Sequence, residues 1–448
     1  MGNTEVNHGE PSGKIQNSID IPALEIQPST IKNAPWVLPP SKSHLIRMLY
    51  LCALSNKEHT LLGFNQLGDD AESMRQCLTR LGTTFEQIDD GMKIVGRGMR
   101  RFEPTADVLN AGNSGTSLRF LIGLCSRLDF TNTLDGDSSL RNRHHSDLLD
   151  ALVGVGVKVS ETTSEGTLPI TMNGPWQDNK LRVDVSRSSQ PFSSLLLSTS
   201  DLQEPMTVET IGEGVSRRHA ELTLKLMQES GAKFVIENNK TTIQAWSSNP
   251  PEEWHVPPDA SMMAFPILAC SLTQQSITIQ NPVLPDDALG HEILMTHLCA
   301  FGIQDLDGVL THNNDVQYVD IDLRDANDLL PPLAAILALS GGGRLRGAQH
   351  AKYKESNRIE STATLLKSFG VSCKVEEDGL SIEGNQRLKK PTEPIRTSDD
   401  HRIQMTAVLL ATKTGGVVEG PNLHQIADPM FLNRLSSMPT EVLVKRVQ

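Results

Sequence analysis

Six segments of the chain share one pattern, in which a short polar cluster opens a strongly apolar stretch. Taking one polar residue of each cluster as a marker, the positions are Ser43, Ser114, Ser188, Asp259, Asp328 and Asp400. They are spaced 71, 74, 71, 69 and 72 residues apart, which indicates a repeated structural unit. Stretches such as LAAILAL are apolar on every side. This predicts helices that are buried all round and capped by their polar first residues.

A second series interleaves with the first and consists of five amphipathic segments that each end in a glycine. The glycines are Gly82, Gly156, Gly231, Gly302 and Gly370, spaced 74, 75, 71 and 68 residues apart. A glycine after an apolar helical stripe is typical of a left-handed helix C-cap. An alternating strand and a hairpin follow each one. The two series together predict six α/β units between about residue 21 and the C-terminus.

The polar helix starts are rich in residues that bind anions. The Lys, Arg, Ser and Gln residues near them are Lys42, Ser43, Arg47, Arg143, Ser188, Ser189, Gln190, Ser216, Lys354, Arg358 and Arg402. Free N–H groups at a helix start hold anions, and Arg and Lys bind carboxylate and phosphate. Ordinary caps and solvated surface charges remain the alternative interpretation. Repetition at one structural position favours a shared pocket for a multiply charged anion.

Two acids near these clusters are candidates for proton transfer. Asp328 opens an almost wholly apolar helix, where it is either a plain N-cap or a group held for chemistry. Glu355 lies between Lys354 and Arg358, which could keep it ionised or bridge it to a ligand. If the helix starts converge, Lys42, Ser188, Asp328, Lys354 and Arg402 should line one cleft.

Composition excludes several classes of function. The net charge of −13 argues against a general nucleic-acid binder, and no run of about 18 apolar residues exists to span a membrane. Six scattered cysteines without a CxxC pair indicate a reduced, cytosol-like compartment without zinc. The histidines show no metal-binding spacing, and no GxGxxG or GxxxxGK[ST] motif is present. The polar residues 1–20 are expected to form a disordered tail.

Ten segments resemble, in order, the motifs of the 5-enolpyruvylshikimate-3-phosphate synthase family of enolpyruvyl transferases. They are LPPSKSHLIR, LNAGNSGTSLR, GDSSLRNR, VSRSSQ, GVSRRH, PDAS, DANDLLPPLA, KYKESNRI, SDDHR and DPMF. The resemblance extends from about residue 24 to about residue 435. It implies a two-domain α/β fold of six βαβαββ-type units, with buried helices covered by sheets. The implied domains are 40–257 and 21–39 plus 258–448, which close over the cleft when ligands bind.

The resemblance also implies a reaction and a set of site residues. The enolpyruvyl group of phosphoenolpyruvate would pass to the 5-hydroxyl of shikimate 3-phosphate, releasing phosphate, in aromatic amino-acid biosynthesis. The implied ligands of the acceptor are Ser188, Ser189, Ser216 and Lys354 for its phosphate, and Ser43, Arg47, Gln190, Asp328 and the His350 position for its ring. The implied ligands of phosphoenolpyruvate are Lys42, Gly115, Arg143, Arg358 and Arg402. Lys42, Asp328 and Glu355 are the proton-transfer candidates, no cofactor or metal is implied, and a cytoplasmic monomer is expected.

The sequence departs from the family pattern at several positions. Ile426 stands where a Lys that contacts phosphoenolpyruvate is usual, which removes one cation. His219 replaces a usual Tyr, and His350 a usual Asn, where the acceptor is read; Asn357 and His144 are further changes. Two alternatives therefore stay open, a different phosphorylated acceptor and a non-catalytic binding protein. The UDP-sugar branch is disfavoured because GDSSLRNR lacks its reactive Cys.

Overall fold

The computed structural model describes residues 22–161, 167–438 and 444–447, so the predicted tail at 1–20 lies outside the described residues. The strands in these ranges are β1 Ala23–Ile26, β2 Ala34–Trp36, β3 Glu58–Leu62, β4 Thr84–Ile88, β5 Gly91–Val95, β6 Leu109–Asn110, β7 Asn132–Asp135, β8 Lys158–Glu161, β9 Ile170–Asn173, β10 Lys180–Asp184, β11 Met206–Ile211, β12 Phe234–Glu237, β13 Lys240–Ile243, β14 Glu253–His255, β15 Ile277–Ile279, β16 Phe301–Leu306, β17 Val309–Val316, β18 Val319–Asp322, β19 Gly342–Arg346, β20 Cys373–Glu376, β21 Gly379–Glu383, β22 Gly416–Glu419 and β23 Val444–Val447. The helices are α1 Lys42–Leu54, α2 Asp69–Arg80, α3 Gly115–Cys125, α4 Ser138–Arg141, α5 Ser146–Val153, α6 Gln190–Leu197, α7 Arg217–Glu229, α8 Ala264–Thr273, α9 Ile293–Thr296, α10 Leu330–Leu339, α11 Arg358–Ser368, α12 His401–Thr414 and α13 Phe431–Ser436.

The repeated unit is clearest in the segment β6–α3–β7–α5–β8–β9. Its sheet has the order β6-β7-β9-β8, with β6 parallel to β7 and the other pairs antiparallel. Five four-stranded sheets share this order, and a sixth sheet among the described residues has the order β22-β1-β23. The α/β fold of six repeated units predicted from the sequence is confirmed.

Two strands pair with units distant from them in sequence. β2 immediately precedes α1 but pairs in parallel with β15, whereas β14 near the middle of the chain pairs in parallel with β3. The two chain segments cross side by side, since Ser41 N–H donates to the Pro257 carbonyl at 2.7 Å and Asp259 N–H to the Pro39 carbonyl at 2.8 Å. The crossing lets each group of three units complete its own sheets.

Two hydrophobic cores result. The first core runs from Leu45 to Val256, and the second joins Leu24–Leu38 to Met262–Met438. Helices α1, α3 and α6 lie in the first, and α8, α10 and α12 in the second. Each of these six helices packs against its own sheet. An all-round apolar helix such as α10 is stable only in such a setting, because it has no face suited to water.

The glycines behave as the sequence predicts, with one helix shorter than expected. All five have positive φ, from +72° at Gly370 to +101° at Gly82, a conformation that glycine adopts without strain. The amphipathic segment before Gly302 was expected to be helical throughout, which is wrong. α9 ends at Thr296, because the next N–H groups bond three residues back: His297 to Leu294 and Leu298 to Met295.

All six cysteines are free thiols, and four of them are buried. Burial raises the pKa of the Cys77 thiol to about 12, so this side chain is a packing residue at neutral pH. Over the described ranges, no helix is both long and apolar enough to cross a membrane.

Gly123 sets how closely α3 and α6 approach. A Cβ at this position would collide with the hydroxyls of Ser194 and Ser198 and lie 3.0 Å from the Ser194 carbonyl oxygen. We expect Gly123→Ala to lower the free energy of unfolding by about 1–3 kcal/mol, although Ala is the better helix former. Denaturant unfolding measures this. Gly214→Ala is the control, because its Cβ would meet only atoms at 3.6 Å or beyond; equal midpoints for both variants would contradict the packing argument.

Candidate active site

One cavity of about 310 Å³ lies between the two cores. Its walls include the first residues of α1, α3, α6 and α12 and the turn that precedes α10. Five of the six polar helix starts therefore converge. The residues predicted for the site that line the cavity are Lys42, Ser43, Arg47, Gly115, Arg143, Ser188, Ser189, Gln190, Ser216, Asp328, His350, Lys354, Glu355 and Arg358.

Arg402 is the predicted site residue that does not line the cavity. Its side chain is 2% exposed, and its Nη2 donates to Ser261 Oγ at 2.7 Å. The same nitrogen lies 3.8 Å from Asp328 Oδ2. The expectation that Arg402 lines the cleft is thus wrong for this conformation, since the guanidinium sits one layer behind Asp328.

Arg358, the first residue of α11, is the centre of a buried ion network. Its guanidinium bonds Glu355 at 2.6 Å, Asp400 at 2.8 Å and also Asp328. The Asp400 carboxylate caps α12 by accepting from the Arg402 N–H at 2.9 Å. Neither the turn that contains Asp328, whose N-cap is Ala326, nor α10, whose N-cap is Leu329, has a side-chain cap bond, so the alternative that Asp328 is a plain N-cap is wrong. Its carboxylate is held by charge.

This network keeps both candidate acids ionised. Burial, the largest single effect, opposes ionisation of Asp328, but Arg358, Arg402 and Lys354 hold its pKa well below the usual range. Burial likewise opposes ionisation of Glu355, and Arg358 and then Arg143 outweigh it, so its pKa is also well below normal. Nearby cations favour the charged form of a carboxyl. Both groups are therefore carboxylates at neutral pH.

Lys42 is held as an ammonium group at the start of α1. Its Nζ lies 2.9 Å from Asp70 Oδ2. Burial favours the neutral amine, but Asp70 and Glu355 outweigh it and raise the pKa of Lys42. Asp70 was missed in the sequence. The DDAE segment that opens α2 reads as ordinary first-turn acids that complement the helix dipole.

Arg47 is a buried cation without a carboxylate partner among the described residues. It donates to the Thr223 hydroxyl at 2.8 Å and to the carbonyls of Ser43 and His219 at 2.9 and 3.1 Å. Burial lowers the pKa of Arg47 to about 9. A buried charge is costly unless it is paired, so this side of the cavity favours an anionic ligand.

Arg119 and Asn327 are further cavity residues that the sequence analysis did not identify. Arg119 lies one helical turn after Gly115 on α3, and its guanidinium bonds Gln190. Burial lowers the pKa of Arg119 to about 10. The sequence signal that indicates Arg119 is its position four residues after Gly115 at the helix start, which places both residues on the same face of α3. Asn327 Nδ2 lies 2.8 Å from His350 Nε2 and 3.4 Å from Ser216 Oγ, which joins the two cores.

The positions that depart from the family pattern fall in different places. His219 and His350 both line the cavity, and burial lowers their pKa values, to about 3 for His350.

Ile426 is buried, and its carbonyl would lie 2.8 Å from a Cβ at Gly68. Two cations near the site motifs have different surroundings: Arg141 pairs with Asp135, whereas Lys352 lines the cavity. No group of His, Cys, Asp or Glu suited to a metal ion occurs in the part of the chain that the structure describes.

Removing the guanidinium of Arg358 should leave buried carboxylates without their cation and so destabilise the folded protein. We expect Arg358→Met to lower the free energy of unfolding at pH 7 by about 3–5 kcal/mol, because Asp328, Glu355 and Asp400 lose their shared partner. Two of these carboxyls have folded-state pKa values below the unfolded ones. Their contribution is present above about pH 4 and is lost as pH falls through the folded values. The difference from wild type should therefore shrink in acid.

Urea unfolding of both proteins from pH 7 to pH 3 tests this. Arg141→Met is the control, since Arg141 pairs with Asp135 at the surface, and it should leave the midpoint unchanged. A destabilisation by Arg358→Met that stays constant across this pH range would show that charge is not its cause.

Comparisons with known proteins agree with this geometry. The model of the family described as EPSP synthase (3-phosphoshikimate 1-carboxyvinyltransferase) matches residues 33–435. Relatives named 3-phosphoshikimate 1-carboxyvinyltransferase include those of Methanocorpusculum labreanum, 32% identical over 90% of this chain and 96% of its own, and Methanosphaera stadtmanae, 28% identical over 93% and 100%.

Solved structures show the same fold. EPSP synthase from Acinetobacter baumannii superposes with a TM-score of 0.75 at 23% identity, covering 95% of this chain and 100% of that one. The enolpyruvyl transferase NikO from Streptomyces tendae gives a TM-score of 0.73 at 15% identity, covering 96% and 100%. With the match over residues 33–435, the chain belongs to the EPSP synthase (3-phosphoshikimate 1-carboxyvinyltransferase) family of transferases.

Proposed function

We propose that this chain transfers the enolpyruvyl group of phosphoenolpyruvate to the 5-hydroxyl of shikimate 3-phosphate and releases phosphate. The observation that carries the proposal is the convergence of five helix starts, with their cations and two ionised acids, on one cavity. We further propose that the two cores are separate domains, 40–257 and 21–39 plus 258–448. A cytoplasmic monomer that uses no cofactor or metal is part of the same proposal.

The acceptor would lie where both cores supply polar groups. Ser188 and Ser189 from the first core and Lys354 from the second line the same cavity, and Asn327 Nδ2 donates to Ser216 Oγ at 3.4 Å between the cores. Hydroxyl donors with one ammonium group suit a phosphate. Arg47 and Gln190 would hold the ring together with Ser43, Asp328 and His350.

Phosphoenolpyruvate would lie beside the guanidinium groups. Arg143 and Arg358 line the cavity with Lys42 and the start of α3 at Gly115. Arg119 on the same helix adds a further cation, and Arg402 supports Asp328 from behind. Such fixed charges stabilise the carboxylate, the departing phosphate and the tetrahedral intermediate without reorganisation during the reaction.

The protonation states of Lys42, Asp328 and Glu355 indicate which group would donate and which would accept each proton of the reaction. Lys42 is an ammonium group and is suited to donate a proton to the methylene carbon. Asp328 is a carboxylate and is suited to accept the proton of the 5-hydroxyl. Glu355 is also ionised, so it would serve as a proton relay only after it has received a proton. These assignments follow general acid–base requirements.

A second candidate is the same transfer to a different phosphorylated acceptor. The neutral imidazoles of His219 and His350 favour it, because they stand where the family has Tyr and Asn. A neutral imidazole offers one donor nitrogen and one acceptor nitrogen, whereas a phenol offers a single hydroxyl, so the two groups hydrogen-bond to the hydroxyls of an acceptor molecule differently.

Phosphate release distinguishes these candidates. With phosphoenolpyruvate and shikimate 3-phosphate together, we expect phosphate release and an enolpyruvyl product by NMR, and no release when either substrate is omitted. Binding of phosphoenolpyruvate without turnover of shikimate 3-phosphate would favour the second candidate. Absence of binding to both would refute enolpyruvyl transfer.

Lys354→Ala should mainly weaken acceptor binding. Loss of one charge-assisted contact costs about 1.5–3 kcal/mol, so we expect the KM for shikimate 3-phosphate to rise roughly ten- to a hundred-fold, with a smaller change for phosphoenolpyruvate. Steady-state kinetics with each substrate varied in turn measures this. Lys374→Ala, at an exposed lysine paired with Glu376, is the matched control. An effect confined to phosphoenolpyruvate would mean that the two anion sites are exchanged.

A further inference from the structure

One arginine at the rim of the cavity, Arg187, contacts an aromatic ring from the other core. Arg187 precedes Ser188 in the loop between β10 and α6, is exposed, and lines the cavity. Its guanidinium carbon lies 5.8 Å from the ring centroid of Tyr353. Tyr353 ends the turn that leads to Lys354, and its side chain is 57% exposed. An exposed tyrosine ring beside a cation is a typical cation–π pair.

This pair differs from the other arginine–aromatic contacts among the described residues, because it joins the two cores. Arg47 and Phe120, Arg75 and Phe85, and Arg127 and Trp176 each lie within the first core, whereas Arg434 and Trp36 lie within the second. The Arg187–Tyr353 contact therefore forms only when the two halves of the molecule meet at this rim.

Arg187 also differs from its neighbours in charge pairing. Arg217, Arg218 and Arg324, at the same boundary between the cores, pair with Asp325, Glu292 and Glu213. Arg187 has no ion pair within the described ranges. The charge of Arg187 acts to lower the pKa of Asp147 on the cavity wall, but burial of that carboxyl is the larger effect and raises its pKa. The charge of Arg187 is thus free to act on a ligand.

We propose that Arg187 is a further cation for the acceptor phosphate, and that Tyr353 is the positioning residue that holds it across the rim. The proposal rests on the proposed function, because Ser188 and Lys354, the sequence neighbours of the pair, are the groups assigned to that phosphate. Arg187 approaches from the first core and is fixed by a ring from the second. The pair would therefore strengthen phosphate binding only when the cavity is closed.

The proposal requires that Tyr353 acts through Arg187. Calorimetric binding of shikimate 3-phosphate should weaken roughly ten- to a hundred-fold in Arg187→Ala, since a charge-assisted contact is lost. Tyr353→Leu should weaken it about two- to five-fold, as expected for an exposed cation–π contact, and Tyr353→Phe should restore wild-type binding. The double variant should bind no more weakly than Arg187→Ala alone.

Shikimate lacks the phosphate, so its binding shows whether the loss of affinity in Arg187→Ala comes from the missing charge or from a change in closure of the cavity. Its affinity should be equal in wild type and Arg187→Ala. Arg75→Ala, which removes an arginine from a ring within the first core, is the control and should change neither affinity. Binding of shikimate 3-phosphate to Arg187→Ala within two-fold of wild type, or additive losses in the double variant, would overturn the inference and leave the proposed function intact. A wild-type protein that does not bind shikimate 3-phosphate would overturn both.

Discussion

The structure depends on six helices that have no side suited to water. Helices α1, α3, α6, α8, α10 and α12 are enclosed by neighbouring helices and by their own sheets. Their first turns are the part of each helix that still needs polar partners, because the first N–H groups have none within the helix. The side chains of Ser114 and Asp400 cap α3 and α12, whereas the N-caps of α1, α6 and α10 make no side-chain cap bond. Placing five of these ends around one cavity therefore leaves N–H donors for a ligand. The fold therefore creates the anion site as a consequence of burying its helices.

The cavity is positive in a protein that is strongly negative. Its lining contains the cations Lys42, Arg47, Arg119, Arg143, Arg187, Lys352, Lys354 and Arg358 and the acids Asp70, Asp147, Asp325, Asp328 and Glu355, whereas the whole chain carries a net charge of −13. His219, His291 and His350 in the cavity stay neutral because burial lowers their pKa values. A local field of this sign attracts anions despite the global charge. It matches the two phosphorylated substrates proposed for the site.

Sequence periodicity could predict the units because burial imposes it directly. The apolar helices and the terminating glycines follow from local rules, and both series are found in the structure. Partners that meet only through tertiary structure could not be found in this way. Asp70 opposite Lys42, and Asn327 between His350 and Ser216, lie far apart in sequence and carry no local signature. For the same reason, the sequence could not decide whether Asp328 caps a helix or is held by charge, since its partners Arg358 and Arg402 come from two later helices.

The charge state of Asp328 links substrate binding to catalysis. Arg358, Arg402 and Lys354 hold the pKa of Asp328 so low that this carboxylate is by itself a weak base. The anions of phosphoenolpyruvate and of the acceptor phosphate would bind to Arg358 and Lys354, the two of these cations that line the cavity, and offset their charge. The field that depresses the pKa of Asp328 would then weaken, and its basicity would rise once both substrates are present. Because the same charges bind the substrates and restrain the base, proton abstraction is favoured only in the complex where it can lead to transfer.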